Sequence, residues 1–186
     1  MRPTTLSREH QVGTMELSPR GKRCPDVELV PVGGGDPFAL YSFLQEIWPE
    51  PYKRDAAFAS RVDSESGEIF YITRDTEVVG ITGVFSDDIA STEDLFLRWT
   101  GVAPGLRQSG LGRAAIRQLA QLCLARYPER KRLIELVPDN AYGHTVAKPF
   151  FEKLGFYPCE ITVPCAEDAD WAVIAYAAEL KRLRYL

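Results

Sequence analysis

Between an apolar run and a helix-like run the chain reads GVAPGLRQSGLGRAAI, Gly101 to Ile116, with four glycines, a proline and little side chain to cover the backbone. A helix that opens at a glycine-rich turn presents several unpaired N–H groups and the positive end of its dipole, which together suit an anion, usually a phosphate. A side chain at Gly110 or Gly112 is expected to hold such an anion away. The stretch therefore reads as a phosphate or pyrophosphate cradle.

Three kinds of cradle compete for it. A nucleoside-triphosphate P-loop needs Lys and Ser or Thr after its last glycine, and Leu111, Gly112 and Arg113 do not supply them. A dinucleotide fingerprint needs a third glycine where Ala115 stands and an acidic residue about 20 positions later at a strand end. Glu129 has nearly the right count but precedes its strand. The other glycine cluster, GGGDPF at Gly33 to Gly35, is explained by a turn and a helix entry.

The elements that would position the loop follow from the patterning. VELVPV, Val27 to Val32, predicts a first strand. A helix should follow, capped by Asp36, with Pro37 in its first turn, Leu40, Phe43, Leu44 and Ile47 on one face, and Pro49 and Pro51 ending it. EIFYITRDTEVVGITGVF predicts a hairpin turning at Asp75 to Glu77. DLFLRWTGV is a strand that feeds the glycine loop, and Leu111, Ala115, Leu119 and Leu122 recur at helical spacing after it. RLIELV is then a buried strand, TVAKPFFEKLG a short helix closed by Gly155, and CEITVP and WAVIAYAAEL two last strands. The order β-α-β-β-β-α-β-α-β-β implies an α/β fold with a mixed sheet and helices on its faces.

The 186 residues fit a tail, 1–26, and one domain, 27–186. The tail carries proline, basic and polar residues without period, and Met15 within it would be the alternative start of translation. With 45% hydrophobic and 26% charged residues and a net charge of -4, neither a disordered chain nor a nucleic-acid partner is expected. Cys24, Cys123, Cys159 and Cys165 form no C-x-x-C pair, and with two histidines no metal site is expected. Isolated, reduced thiols and the lack of an apolar run of ~18 residues or a secretory core predict a soluble cytoplasmic protein with no membrane partner.

VAPGLRQSGLG has the form V-x-P-x-x-R-x-x-G-x-G and resembles the acyl-CoA-binding signature of the GNAT superfamily of N-acyltransferases. Downstream, NAYGHTVAKPFFEKLGF is similar to the family's later motif, and the resemblance runs over roughly residues 27–179. It implies the family fold, a mixed and mostly antiparallel sheet flanked by helices. It also implies that the backbone of Gly101, Val102 and Ala103 holds the pantetheine arm and that Arg107, Gln108, Ser109, Gly110, Leu111, Gly112 and Arg113 surround the pyrophosphate. Asn140 and Phe151 would border the same cosubstrate. The implied activity is transfer of an acetyl group from acetyl-CoA to a primary amine of a small molecule or peptide, by direct attack in a ternary complex.

Such a transfer needs a deprotonated amine, a stabilised carbonyl oxygen and a protonated leaving thiolate. Backbone N–H groups at Val102 would serve the oxygen. Many relatives place a tyrosine acid at the second aromatic of FYEKLGF, whereas this chain has Phe151, and its Asn140 to Ala147 spacing is longer than the family's N-x-x-A. Tyr142 and His144 are the candidate replacement donors. Asp94 is the candidate base, on one face with Arg98 and Val102 by strand alternation, and Glu135 would point either into the cleft or to solvent. A catalytically weak acyl-CoA sensor is the alternative that Phe151 keeps open; a nucleotide-binding regulatory domain is a further one. The acceptor carries no motif, and a monomer or a homodimer is expected.

Overall fold

The computed structural model describes residues 25–33, 37–48, 67–86, 93–161 and 173–186. Segment 1–24, and with it the alternative start, lies outside these residues, as do Asp36, the loop after Pro49, Cys24 and Cys165.

Strands form where β-branched and aromatic residues cluster. They are β1 (Glu28–Pro31), β2 (Gly67–Arg74), β3 (Glu77–Phe85), β4 (Asp94–Val102), β5 (Arg132–Pro138), β6 (Tyr157–Pro158) and β7 (Val173–Glu179). The hairpin between β2 and β3 turns on Asp75 and Thr76, both with positive φ (51° and 72°), the two-residue geometry that matches the right-handed twist of the arms. The sheet order is β1-β2-β3-β4-β5-β7-β6, and β4–β5 is the parallel pair among antiparallel neighbours. A parallel pair needs a crossover, and α2 (Leu111–Arg126) supplies it.

Two apolar layers fix the sheet. Leu111, Ala115, Ile116, Leu119 and Cys123 of α2 are buried at helical spacing. Ile116, Leu119 and Cys123 pack in one cluster with Phe70, Leu95, Leu97, Leu133 and Tyr176. The same cluster takes Phe151 from α3 (Lys148–Lys153) and Leu180 and Leu183 from α4 (Leu180–Leu183). On the opposite face Leu44 and Ile47 of α1 (Pro37–Ile47), with Trp48, cover Ile81, Phe85, Phe96 and Ile134. Each large side chain so buried contributes about 1.5–3 kcal/mol before entropy is counted.

Two expectations change at the far edge. The strand expected over CEITVP is reduced to Tyr157–Pro158 just before it, with the Cys159 N–H donating to Ala175 O at 2.9 Å; residues 162–164 lie outside the description. The run WAVIAYAAEL does not stay extended to its end, because Leu180 and Leu183 recur three apart and bury in a short helix. Gly155, with φ 90°, closes α3 as its sequence suggested.

No helix among the described residues is long and apolar enough to cross a membrane, and no metal-ligating cluster occurs among them. Burial pushes the Cys123 thiol up to about 12, from an ordinary value of 9.0. The unfolded chain therefore loses this proton first, the folded state binds more protons between those values, and the stability that Cys123 contributes falls as pH rises through that window. At pH 8 Cys123 should resist an aromatic disulfide reagent in the folded protein and react once urea unfolds it. Reaction in the folded protein at the rate of a free thiol would refute its burial.

Candidate functional site

The site begins with a counting irregularity in β4. From Ile81 to Gly83 β3 advances by 83 − 81 = 2 residues, while β4 advances by 101 − 98 = 3 between their partners Gly101 and Arg98. The surplus residue is a bulge at Trp99 and Thr100, where Trp99 takes a φ of 52° and stacks edge-on against Phe85 at 5.3 Å. The hydroxyls of Thr82 and Thr100 bond across the two strands at 2.8 Å. Pairing of β4 with β5 ends at Leu97 and Glu135, although β5 continues to Pro138 alongside β7. The strands thus fork, and beyond Leu97 β4 pairs with β3 and no longer with β5 among the described strands.

The bulge also reverses side-chain alternation. Arg98 lies over the Phe96 ring, 5.5 Å from its centroid, on the α1 face, whereas Val102 packs with Leu106 and Leu111 on the α2 face. The expectation that Asp94, Arg98 and Val102 share a face is therefore corrected by the extra residue. Asp94 does not join the site. It sits eight positions from Val102, roughly 25 Å along the strand, and its buried carboxylate takes two 2.7 Å bonds from Arg132. Glu135, which sequence left between two orientations, shares the α2 face of β5 with the core residues Leu133 and Val137 and is half-buried.

Beyond the fork the chain turns through a 3-10 helix, Pro104–Leu106, into α2. The Ala103 N–H is spent on Val79 O at 3.0 Å, and alternation turns the Val102 N–H the other way, toward the fork. Ala103 accordingly offers no free N–H to a pantetheine arm. Gln108 has a φ of 61°, and the Ser109 hydroxyl donates to Leu106 O, so both fold the loop on itself. Gly110 is the N-cap of α2 with φ 91° and no side-chain cap; the first intrahelical bond is Ala114 N–H to Gly110 O at 3.0 Å. The N–H groups of Leu111, Gly112 and Arg113 therefore open to the helix entry.

The two motif glycines have different reasons to be small. Gly110 is left-handed, and a Cβ there would stand 3.2 Å from the Pro25 ring. A Cβ on Gly112 would meet the Phe150 ring at 3.1 and 3.3 Å, so this glycine admits an aromatic side chain of α3 rather than clearing space for an anion. Arg107 also departs from its implied role. Its guanidinium donates to Val102 O at 3.2 Å through Nε and to Ile47 O at 2.8 Å through Nη2, at the end of α1.

The long Asn140–Ala147 spacing has a local cause. Pro149 offers no N–H and crowds the carbonyl four residues back, and the helix before it widens into a π turn, Gly143–Ala147, in which Lys148 N–H bonds Gly143 O. Asn140 Oδ1 accepts the Gly143 N–H at 2.9 Å, which makes Asn140 a cap for this turn at the end of β5. Tyr142 is half-buried; His144 is exposed, with Nε2 2.7 Å from Asp139 Oδ1. Phe151 is 4% exposed and stacks between Phe150 and Phe156, so it faces the core and not the loop; Phe150 is the ring beside Gly112. Sequence singled out Phe151 and missed Phe150, whose signal was the neighbouring position in the same aromatic pair.

The fold is shared with solved acetyltransferases. The chain superposes on the ribosomal-protein-S18-alanine N-acetyltransferase from Escherichia coli with a TM-score of 0.61 at 20% identity, covering 83% of this chain and 94% of that one. A GNAT family acetyltransferase from Elizabethkingia anophelis with acetyl-CoA bound gives 0.57 at 16% identity, covering 85% and 99%. Aminoglycoside acetyltransferase AAC(6')-Ib in complex with coenzyme A and kanamycin gives 0.63 at 19%, covering 86% and 98%. At these identities the likeness shows the fold alone, and a search of curated proteins finds no match. The model of the Acetyltransferase (GNAT) family matches residues 38–156, which contain the fork, the glycine loop and the π turn, and the chain belongs to that family.

Proposed function

We propose that this protein transfers an acetyl group from acetyl-CoA to a primary amine of a small molecule or peptide by direct attack in a ternary complex. The observation that carries the reading is the uncapped entry of α2 following the fork at which β4 leaves β5. Its three open N–H groups, at Leu111, Gly112 and Arg113, and the dipole behind them suit a diphosphate. The fork that opens between β4 and β5 beyond Leu97 and Glu135 suits an extended chain such as a pantetheine arm, with Arg107 holding the Val102 carbonyl at its loop end. Phe150 packs beside Gly112 at the loop end of that path, and Asn140 follows β5, the other arm of the fork. The Val102 N–H, turned toward the fork, is the donor for the developing oxyanion.

For the leaving thiolate the candidate proton donors are His144, whose Nε2 lies 2.7 Å from Asp139 Oδ1, and the neighbouring Tyr142 hydroxyl. A thiol of ordinary acidity, near ~8.5, is a tolerable leaving group, so losing the donor should slow turnover at the lower end of the range of about 10²- to 10⁴-fold. His144→Gln is thus expected to lower kcat about 100-fold with acetyl-CoA affinity unchanged. An unaltered kcat would exclude His144.

Thermal unfolding with acetyl-CoA, ATP and NAD tests the reading itself. At about 100 times its dissociation constant a ligand stabilises a fold by about 2.7 kcal/mol. Acetyl-CoA alone should do so, and Gly110→Glu, which puts a carboxylate and a left-handed side chain into the cradle, should abolish the effect. CoA release is then followed with an alanine-terminated peptide, kanamycin and a polyamine, amines of the kinds that the relatives' names suggest. Stabilisation without CoA release from any amine would favour the sensor reading, and no stabilisation at all would remove both.

A further inference from the structure

Arg107 occupies the motif position expected at the pyrophosphate, yet both of its described bonds go to protein carbonyls. One of these, Ile47 O, belongs to the last residue of α1, where carbonyls have no intrahelical donor and where the helix dipole favours a cation. The other, Val102 O, lies at the end of β4. The same end of α1 rests on β4 from the opposite face: a Cβ on Gly101 would stand 2.4 Å from Ile47 Cγ2 and 2.7 Å from the Trp48 ring. The glycine loop and α2 cover one face of the forked strand, so an acceptor that reaches Val102 passes the end of α1, whose Ile47 and Trp48 are buried against Gly101.

We propose that Arg107 is a positioning residue that couples the two substrate sites: it ties the acyl-CoA loop to the end of α1, so that filling the loop orders the acceptor wall. The inference rests on the acyl-CoA reading above. An anion seated on residues 108–113 immobilises the loop from which Arg107 projects, and the fork of the guanidinium passes that constraint to Ile47 O. By reciprocity an acceptor that orders α1 raises acetyl-CoA affinity by the same factor, and the coupling is expected to be about tenfold. Lysine cannot replace arginine here, because a single ammonium does not span two carbonyls in a fixed fork.

Hydrogen exchange with and without acetyl-CoA reads the coupling. In the wild type acetyl-CoA should slow exchange in 107–113 and also in 43–48. In Arg107→Gln and Arg107→Lys the loop should still be protected, with the dissociation constant for acetyl-CoA within about threefold, while 43–48 no longer responds. Unchanged slow exchange in 114–123 shows that each variant is folded. A loss of about 100-fold in acetyl-CoA affinity would make Arg107 a phosphate ligand and overturn the proposal. Persisting protection of 43–48 in both variants would overturn it as well. Absence of protection in 107–113 of the wild type defeats the acyl-CoA reading, and this inference falls with it.

Discussion

Arg132→Met is expected to lower the unfolding free energy by about 3 kcal/mol, because it removes the guanidinium that bonds both oxygens of the buried Asp94 carboxylate. Asp94 has only 2% of its side chain exposed and receives Nε on Oδ1 and Nη2 on Oδ2, both at 2.7 Å. Those hydrogen bonds also raise the pKa of Arg132, so its guanidinium stays charged. The converse change is milder, since Arg132 keeps 34% of its side chain exposed and can be rehydrated. Asp94→Asn should cost about 1–3 kcal/mol, and the double variant less than the sum. Urea unfolding of the three variants decides this; equal losses from the two single changes would show that water screens the pair. The pair matters beyond stability because it zips the closed end of the fork, where Asp94 and Arg132 are register partners.

Gly143→Ala should cost about 3 kcal/mol or more, at or above the top of the usual overpacking range. Its Cβ would lie 1.7 Å from Pro138 O and 2.8 Å from Pro138 C, which are backbone atoms of β5 and cannot swing aside as a side-chain tip would. Relief would require the π turn to lift from the strand, and the Asn140 bond to Gly143 would go with it. Gly105→Ala is the control, because nothing lies within 4 Å of its Cβ position, and it should stay within about 0.5 kcal/mol of the wild type. A loss below about 1 kcal/mol for Gly143→Ala would mean that the turn does not sit against Pro138.

Much of this architecture was legible because it depends on local chemistry. Gly110 and Gly155 stand where left-handed backbone is needed, Leu111 to Leu119 repeat at helical spacing, and the β2–β3 turn announces itself in two polar residues. What escaped depends on partners distant in sequence. Asp94 looked like a base because nothing in its neighbourhood names Arg132, 38 residues away, and parallel pairing is what brings them together. Arg107 looked like a phosphate ligand because Ile47 is 60 residues upstream. The stretched Asn140–Ala147 spacing was visible as an irregularity, but its resolution as a π turn needed Pro149 and Gly143 to be read together. Phe151 was assigned by position in a motif, and the direction of two adjacent rings on a short helix is set by the core that receives them.

The extra residue in β4 separates two properties that usually change together. A strand one residue shorter at Trp99 would keep Gly101 toward α1 and Val102 toward α2, since the pleat would then alternate normally from Arg98 onward. What it would lose is the bend. The bend in β4 is therefore set by the length of the strand, and the identity of the residues beyond it by the positions on either side. Each can drift in evolution while the other holds still.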